Sequence, residues 1–135
     1  MNDLRTLEAG VWVAAHPAVT FDAWLSSATH TAMSGQPAFI DARPGGYFSL
    51  WSGSVRGEFV HLKRPQVIAQ TWRTSDFPAN ADDSRVELRF RPHNGGTQVS
   101  VVHAYIPPAL YDQFRFGWTQ FLLPRLRELV LPNGT

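Results

Sequence analysis

The chain has 135 residues, with twelve Lys and Arg against eleven Asp and Glu, a formal net charge of +1 with histidine neutral, and no cysteine. This length suits a single domain, which buries roughly 68–70% of the surface that its unfolded chain exposes. A charge so close to zero creates no field that would hold phosphate backbones or anionic lipid, so we expect no nucleic-acid partner and no membrane partner. Without cysteine, disulfide and thiolate chemistry are excluded. With no visible signal peptide and no apolar run of membrane length, we expect a cytoplasmic protein.

The N-terminal segment predicts one strand and two short helices. Apolar residues alternate with others in TLEAGVWVAA, which directs one face of the strand inward: Leu7, Ala9, Val11 and Val13. Trp12 then lies on the outer face. Pro17 is suited to the first turn of a helix that ends near Ser26, and Ser27 is predicted to cap a second helix that Gly35 stops.

The middle of the chain predicts an antiparallel meander. Gly45-Gly46 and Ser52-Gly53 are turn dipeptides, and Lys63-Arg64-Pro65 forms a third turn. The segments between them are aromatic or β-branched and predict strands near Ala38 to Ala42, Tyr47 to Trp51, Ser54 to His61 and Gln66 to Arg73. Consecutive strands are expected to pair.

A polar loop from Thr74 to Ser84 follows, and we expect it to act as a mobile lid solvated by Asp82 and Asp83. Two further strands are predicted after it. In the first, Val86, Leu88 and Phe90 alternate with charged residues. In the second, from Thr97 to Tyr105 after the Asn94-Gly95-Gly96 turn, one face carries Val99, Val101, His103 and Tyr105.

The last element is predicted to be one long helix that reaches Leu131 and closes the sheet. Its apolar stripe, at about 100° per residue, consists of Tyr111, Phe114, Trp118, Phe121, Leu122, Leu126 and Leu129. Pro124 cannot bond to the Gln120 carbonyl, so we expect a kink there.

Aromatic side chains on both surfaces predict a ligand pocket between the sheet and this helix. Such residues usually fill a core, but so many rings are hard to interdigitate at crystal-like density, so we expect a remaining cavity. The candidate pocket residues are Trp72, Phe90, Val101, His103, Phe114, Trp118, Phe121 and Leu122.

Three of five polar candidates, His103, Gln70 and Arg125, have two interpretations each. An inward His103 can orient a ligand or act as acid or base, or it is a core histidine with satisfied hydrogen bonds. Gln70 is a second polar pocket group or an outward strand residue. Arg125 pairs with an acidic ligand or extends its head to water. Glu58, beside a bulge or a close backbone approach at Gly57, is predicted to be an outer-face charge rather than a catalytic base, and Arg73 is predicted to be solvated.

Patterns for known chemistries are missing from the sequence. The histidines His16, His30, His61, His93 and His103 lack the spacing of metal ligands, and Asp82-Asp83 lacks the set of further acids that an oxygen cage for a cation needs. There is no G-x-S-x-G elbow and no phosphate-binding glycine loop. We therefore expect no metal, no cofactor and no catalytic residue.

The ordered elements resemble the helix-grip fold of START and Bet v 1-like proteins. Within that group the chain resembles the Aha1-type family (activator of Hsp90 ATPase, C-terminal domain) on FDAWLSS, GGYFSLWSG, VRGEF, QTWR, GGTQVSV and GWTQFLLPRLREL. The resemblance covers nearly the whole chain. It implies one α+β domain over residues 1–135, with a curved antiparallel sheet around a long C-terminal helix and two short helices after the first strand.

The resemblance implies three functions in order of preference. Other helix-grip proteins bind lipids, hormones or polyketides between sheet and helix, so binding of a small apolar or amphipathic ligand comes first. A chaperone or stress accessory role, Hsp90 activator-like and acting through a protein surface, is the alternative. In that case Trp12 marks a face for a chaperone or for self-association. A cyclase-type enzyme is third. Eukaryotic members that stimulate Hsp90 carry a separate N-terminal domain, so we expect this sequence alone to stimulate an Hsp90 ATPase weakly or not at all.

Overall fold

A computed structural model describes residues 3–130 as a strongly paired antiparallel sheet with helices on its inner face. The strands are β1 (Arg5–Val13), β2 (Phe39–Ile40), β3 (Tyr47–Leu50), β4 (Val55–Lys63), β5 (Val67–Thr74), β6 (Ser84–His93) and β7 (Gly96–Ile106). They form one sheet of seven strands in the order β1-β7-β6-β5-β4-β3-β2. The predicted pairing of consecutive strands is confirmed from β2 to β7, and β1 adds beside β7. The first meander strand is shorter than predicted, with only two residues in β2.

The helices fill the inner side of this sheet. Both predicted short helices follow β1, as α1 (Pro17–Trp24) and α2 (Ser27–Ser34). The C-terminal helix consists of α3 (Tyr111–Phe116), a π-helical turn (Gly117–Leu122) and α4 (Leu123–Leu129). Its predicted end, Leu131, lies outside the described residues. Helix α1 contacts β6 and β7, and α3 and α4 contact β1. This is the predicted α+β helix-grip arrangement.

The cap of α2 differs by one residue from the prediction. The Ser26 hydroxyl oxygen accepts a hydrogen bond from the Thr29 amide at 3.1 Å, which makes Ser26 the cap. The Ser27 oxygen instead accepts from the Ile40 amide at 2.9 Å and ties the helix to edge strand β2. Gly35, with φ of 75°, ends the helix as predicted.

The inward face of β7 is confirmed except at its end. Val99, Val101 and His103 are buried, but Tyr105 is 57% exposed and its φ is 61°. A bulge at this point, opposite the register shift between Arg5 and Leu7, moves the alternation by one residue. Ile106 is buried in consequence.

The irregularity predicted at Pro124 takes the form of the π-helical turn that ends just before α4. Pro124 lies in the first turn of α4, where a missing amide hydrogen costs little. The wider turn also rotates the positions that follow it. Leu123 is therefore buried, and Leu129, predicted in the buried stripe, is 38% exposed.

Candidate functional site

The space between the sheet and the C-terminal helix is where the sequence predicts a pocket. All the candidate residues belong to the core or pack against it, and Phe121 alone among them is only partly buried. The remaining candidates are buried: Trp72, Phe90, Val101, His103, Phe114, Trp118 and Leu122. Their burial agrees with the inward direction that strand and helix spacing predict for these side chains.

The void that remains among them has a volume of about 70 Å³. Four candidate residues line it: Trp72, Phe114, Trp118 and Leu122. The rest of its wall consists of residues that the sequence did not single out: Trp51, Thr74, Gln113 and Gly117. Phe90, Val101, His103 and Phe121 are not part of its wall. Sites for drug-sized ligands occupy roughly 300–1,000 Å³, so this void is several times smaller.

Contacts between rings explain why so little space is left. The Trp118 ring lies between two other indoles, with its centroid 5.4 Å from that of Trp72 and 5.7 Å from that of Trp24. The Phe114 ring stacks on the imidazole of His103 at 5.1 Å. These separations fall within the range that aromatic pairs prefer, so the rings interdigitate and fill the interior.

His103 lies at the centre of a buried chain of hydrogen bonds. The Trp118 indole N–H donates to its Nδ1 at 3.0 Å, so Nδ1 is an acceptor and the proton of the neutral ring is on Nε2. Nε2 donates to the Ser84 hydroxyl oxygen at 2.7 Å. That hydroxyl donates to the Trp72 carbonyl at 2.6 Å. Each hydrogen in the chain has one acceptor, which assigns a single tautomer to the imidazole.

This arrangement cannot activate Ser84 as a nucleophile. A general base must accept the hydroxyl proton, whereas here the imidazole donates to the hydroxyl. Burial lowers the pKa of His103 to about 3, so the ring stays neutral near neutral pH. The contact between Ser84 and His103 is structural. Sequence reasoning missed Ser84, the first residue of β6, because nothing in its neighbourhood distinguishes it from a loop serine.

A second buried network joins α1, α2 and β5. The Trp24 indole N–H donates to the Gln70 side-chain oxygen at 2.8 Å, and His30 Nε2 donates to the Trp24 carbonyl at 2.7 Å. Burial lowers the pKa of His30 to about 4. Gln70 is thus an inward polar group, as one interpretation held, but its oxygen is already bonded. Throughout residues 3–130, no buried side-chain nitrogen or oxygen lacks a hydrogen-bond partner, so the interior presents no free polar group to a ligand.

Arg73 was predicted to be solvated, and that prediction is wrong. Its guanidinium donates to the Ala81 carbonyl at 2.7 Å, to the Pro78 carbonyl at 3.0 Å and to the Asp83 carboxylate at 3.1 Å. It also lies over the Phe77 ring at 5.2 Å. The Arg73 guanidinium binds backbone carbonyls of the loop that follows β5. Strand alternation does not predict such a contact.

The loop between β5 and β6 is pinned at several points and differs from the predicted mobile lid. Phe77 is buried and stacks on Phe114 of the C-terminal helix, with ring centroids 5.9 Å apart. Asp76 accepts hydrogen bonds from the Thr74 hydroxyl and from the Gln113 amide, the latter at 3.1 Å. The loop therefore packs along the helix.

Arg125 supports a helix end. Its Nε donates to the Met33 carbonyl at 3.1 Å in the last turn of α2, and Nη1 lies 3.5 Å from the Glu128 carboxylate. A cation at the carbonyl end of a helix satisfies free acceptors and complements the dipole. The Arg125 side chain does not line the void and remains 40% exposed, as the solvent interpretation held, but neither interpretation included its contact with α2.

Trp12 lies on the outer face as predicted and is 40% exposed. Its indole N–H donates to the His93 carbonyl at 2.8 Å. The ring covers Gly96, where an added Cβ would lie 2.8 Å from a ring carbon. Trp12 thus packs on the turn between β6 and β7 and is hydrogen-bonded to it, and part of its ring is exposed to solvent.

A larger concavity, of about 440 Å³, lies on the outer face of the sheet. Its wall combines charged, hydroxyl and backbone groups: Gly45, Tyr47, Arg56, Gly57, Glu58, Thr71, Arg73 and Asp83. Glu58 is exposed here, as predicted. Gly57 is the predicted close approach, since an added Cβ would lie 2.3 Å from the Thr71 carbonyl oxygen.

Residues 3–130 hold no group of three or more His, Cys, Asp or Glu side chains arranged to bind a metal ion. None of the helices described is long and apolar enough to cross a membrane.

Comparison with known proteins agrees with this fold. The mouse protein "Activator of 90 kDa heat shock protein ATPase homolog 2" is 31% identical over 97 residues, which cover 72% of this chain and 29% of the mouse protein. The chain thus spans less than a third of the length of this curated relative. An HSP90 activator from Plasmodium falciparum superimposes with a TM-score of 0.85 at 29% identity, covering 92% of this chain and 94% of the other.

A more distant structure has the same fold. The Aha1 dimer from Colwellia psychrerythraea gives a TM-score of 0.79 at 12% identity, with 93% of this chain and 96% of the other covered. The profile of one family, "Activator of Hsp90 ATPase homolog 1-like protein", matches residues 14–130. With that match over most of its length and a helix-grip fold shared with an HSP90 activator, the chain belongs to the Activator of Hsp90 ATPase homolog 1-like family.

Proposed function

We propose that this chain is a chaperone-accessory domain that binds an Hsp90-type chaperone through its surface. The observation that carries the proposal is the filled interior. The void between sheet and C-terminal helix is about 70 Å³, whereas the concavity on the outer face is about 440 Å³. A domain with so little room inside acts on its partners through the groups that it exposes. Family membership supports Hsp90 as the class of partner.

Binding and ATPase measurements with the Hsp90 of the same host test this proposal. Isothermal titration calorimetry with nucleotide-free, ADP-bound and ATP-bound chaperone should show saturable binding in at least one state. The steady-state ATPase rate, measured in parallel, reports whether binding also changes turnover. Absence of binding in every nucleotide state, with an unchanged ATPase rate, would refute the proposal.

A second candidate function is binding of a small apolar molecule at the void, and the π-helical turn favours it. Such turns occur frequently at functional sites, and this one contributes Gly117, Trp118 and Leu122 to the wall. A ligand larger than the void would have to displace a side chain such as Trp51, which is only partly buried. Indole fluorescence and melting temperature with fatty acids, flavonoids and polyketide-like aromatics test this candidate, because a ligand specific for the folded state raises the melting temperature. No change with any compound would eliminate it.

A further inference from the structure

The outer face of the sheet carries an exposed patch that no helix covers in residues 3–130. The outer-face patch consists of Phe39 on β2, Tyr47 on β3, Arg56 on β4 and Arg85 on β6. Strand register places them in two neighbouring rows. Phe39 pairs with Ser49 and Ser49 with Arg56, while Tyr47 pairs with Glu58, Glu58 lies beside Thr71, and Thr71 pairs with Arg85. From β3 to β6 the patch extends across about 14 Å.

One end of the patch is apolar. Phe39 is 55% exposed and Tyr47 is 49% exposed, and their ring centroids lie 6.2 Å apart. Single exposed apolar residues are ordinary, but a contiguous pair of rings at a sheet edge is a surface on which a partner side chain can pack. Aromatic residues with a polar end are enriched at protein interfaces.

The other end is basic, and its two arginines have no counterion among the described residues. Arg56 and Arg85 are exposed, and neither makes an ion pair or side-chain hydrogen bond to any described residue. Arg56 is also paired directly with Arg73, another cation, and like charges opposite each other destabilise a sheet. Arg73 is neutralised by Asp83, so Arg56 is the member of the pair that lacks a counterion. Glu58, two residues from Arg56, offsets part of this charge and leaves the patch with a net positive charge.

We propose that the outer-face patch docks a protein segment that presents carboxylates to Arg56 and Arg85 beside an apolar side chain that packs on Phe39 and Tyr47. This inference rests on the proposed function and names the surface and the chemistry of the partner. Guanidinium groups bind carboxylates through two parallel hydrogen bonds, and arginine and aromatic residues dominate binding energy in interfaces. Lysine, which interfaces disfavour, is absent from the patch, and the one lysine of the chain, Lys63, ends β4.

Titration of the host Hsp90 with charge-reversed variants tests the inference. In the double variant Arg56→Glu/Arg85→Glu we expect affinity to fall by at least about tenfold, since close charge pairs across an interface couple strongly. Tyr47→Ser should weaken binding at the apolar end. Raising the salt concentration should weaken the parent more than the double variant. Thermal melts of each variant establish that the domain remains folded.

The matched control is Arg115→Glu/Arg127→Glu, which reverses two exposed arginines on the C-terminal helix. We expect this variant to bind within about twofold of the parent. Equal binding by the parent and the patch variant would overturn the inference and leave the proposed function intact, as would equal loss in both double variants. Absence of binding by the parent would refute both. If reversal changed only self-association, measured by sedimentation, the occupant would be a second copy of the chain and the inference would be wrong.

Discussion

Acidification from pH 7 to pH 5 should destabilise this domain through two buried histidines. His30 and His103 are 4% and 0% exposed, and burial lowers their pKa values from 6.5 to about 4 and about 3. The unfolded chain therefore binds protons near pH 6.5 that the folded chain does not bind. Stability is fully present above the unfolded pKa and decreases as pH falls from 6.5 towards the folded values.

The size of the effect follows from the distance between pH 5 and the unfolded pKa. One pKa unit corresponds to about 1.4 kcal/mol. At pH 5 the pH is about 1.5 units below the unfolded pKa of 6.5 of each histidine. Each therefore removes about 2 kcal/mol of unfolding free energy, and the two remove about 4 kcal/mol. Single domains are stable by only about 5–15 kcal/mol, so the loss is easily measured. The lowered carboxyl pKa values of Asp22, bonded to Arg64, and Asp76, bonded to Thr74, affect stability only below their ordinary value of 3.8.

Urea unfolding of the parent and two variants at pH 7 and pH 5 measures this loss. His103→Gln retains an acceptor for Trp118 and a donor for Ser84 but cannot be protonated, so its loss between the two pH values should be about half that of the parent. His93→Gln changes an exposed histidine and should lose as much as the parent. Equal stability of the parent at both pH values, or an undiminished loss in His103→Gln, would refute the reasoning. NMR titration of the His103 ring should show no protonation above pH 5.

Three further predictions concern packing on the outer face and around the loop. In urea melts, Gly57→Ala should lower the unfolding free energy by about 2 kcal/mol or more, because the new Cβ would lie 2.3 Å from a backbone oxygen. The control Gly117→Ala has no atom within 4 Å of the new Cβ and should raise the unfolding free energy by about 0.5–1 kcal/mol. Arg73→Met retains the stem but loses the bonds to Ala81, Pro78 and Asp83, so limited proteolysis should cut the following loop faster, and an unchanged cleavage rate would show that Arg73 is not its anchor. Trp12→Phe should cost about 1 kcal/mol through the lost bond to His93, and a loss several times larger in denaturant melts would place the Trp12 ring in the core.

Local periodicity in the sequence was sufficient to predict the sheet, the helices and the inward faces. Alternation identified Val99, Val101 and His103 as inward, and helical spacing identified Phe114 and Trp118, because period 2 and period 3.6 are properties of the backbone itself. The same logic failed at Tyr105 and Leu129. There a bulge and a π-helical turn each change the phase of the pattern, and their positions depend on contacts with other elements.

The sequence by itself therefore determined which surfaces face each other, the family and a net charge close to zero. Only the tertiary structure decided how much space those surfaces leave between them and which partners each polar side chain binds. Side-chain spacing indicates a direction, whereas a void of about 70 Å³ depends on how deeply rings from separate elements penetrate one another. The hydrogen bonds of the Arg73 guanidinium, and those from Trp118 through His103 to Ser84, likewise join residues from different elements. Their partners are chosen by the packed geometry of the whole domain, because a buried polar group must be paired with whatever group the fold brings within reach.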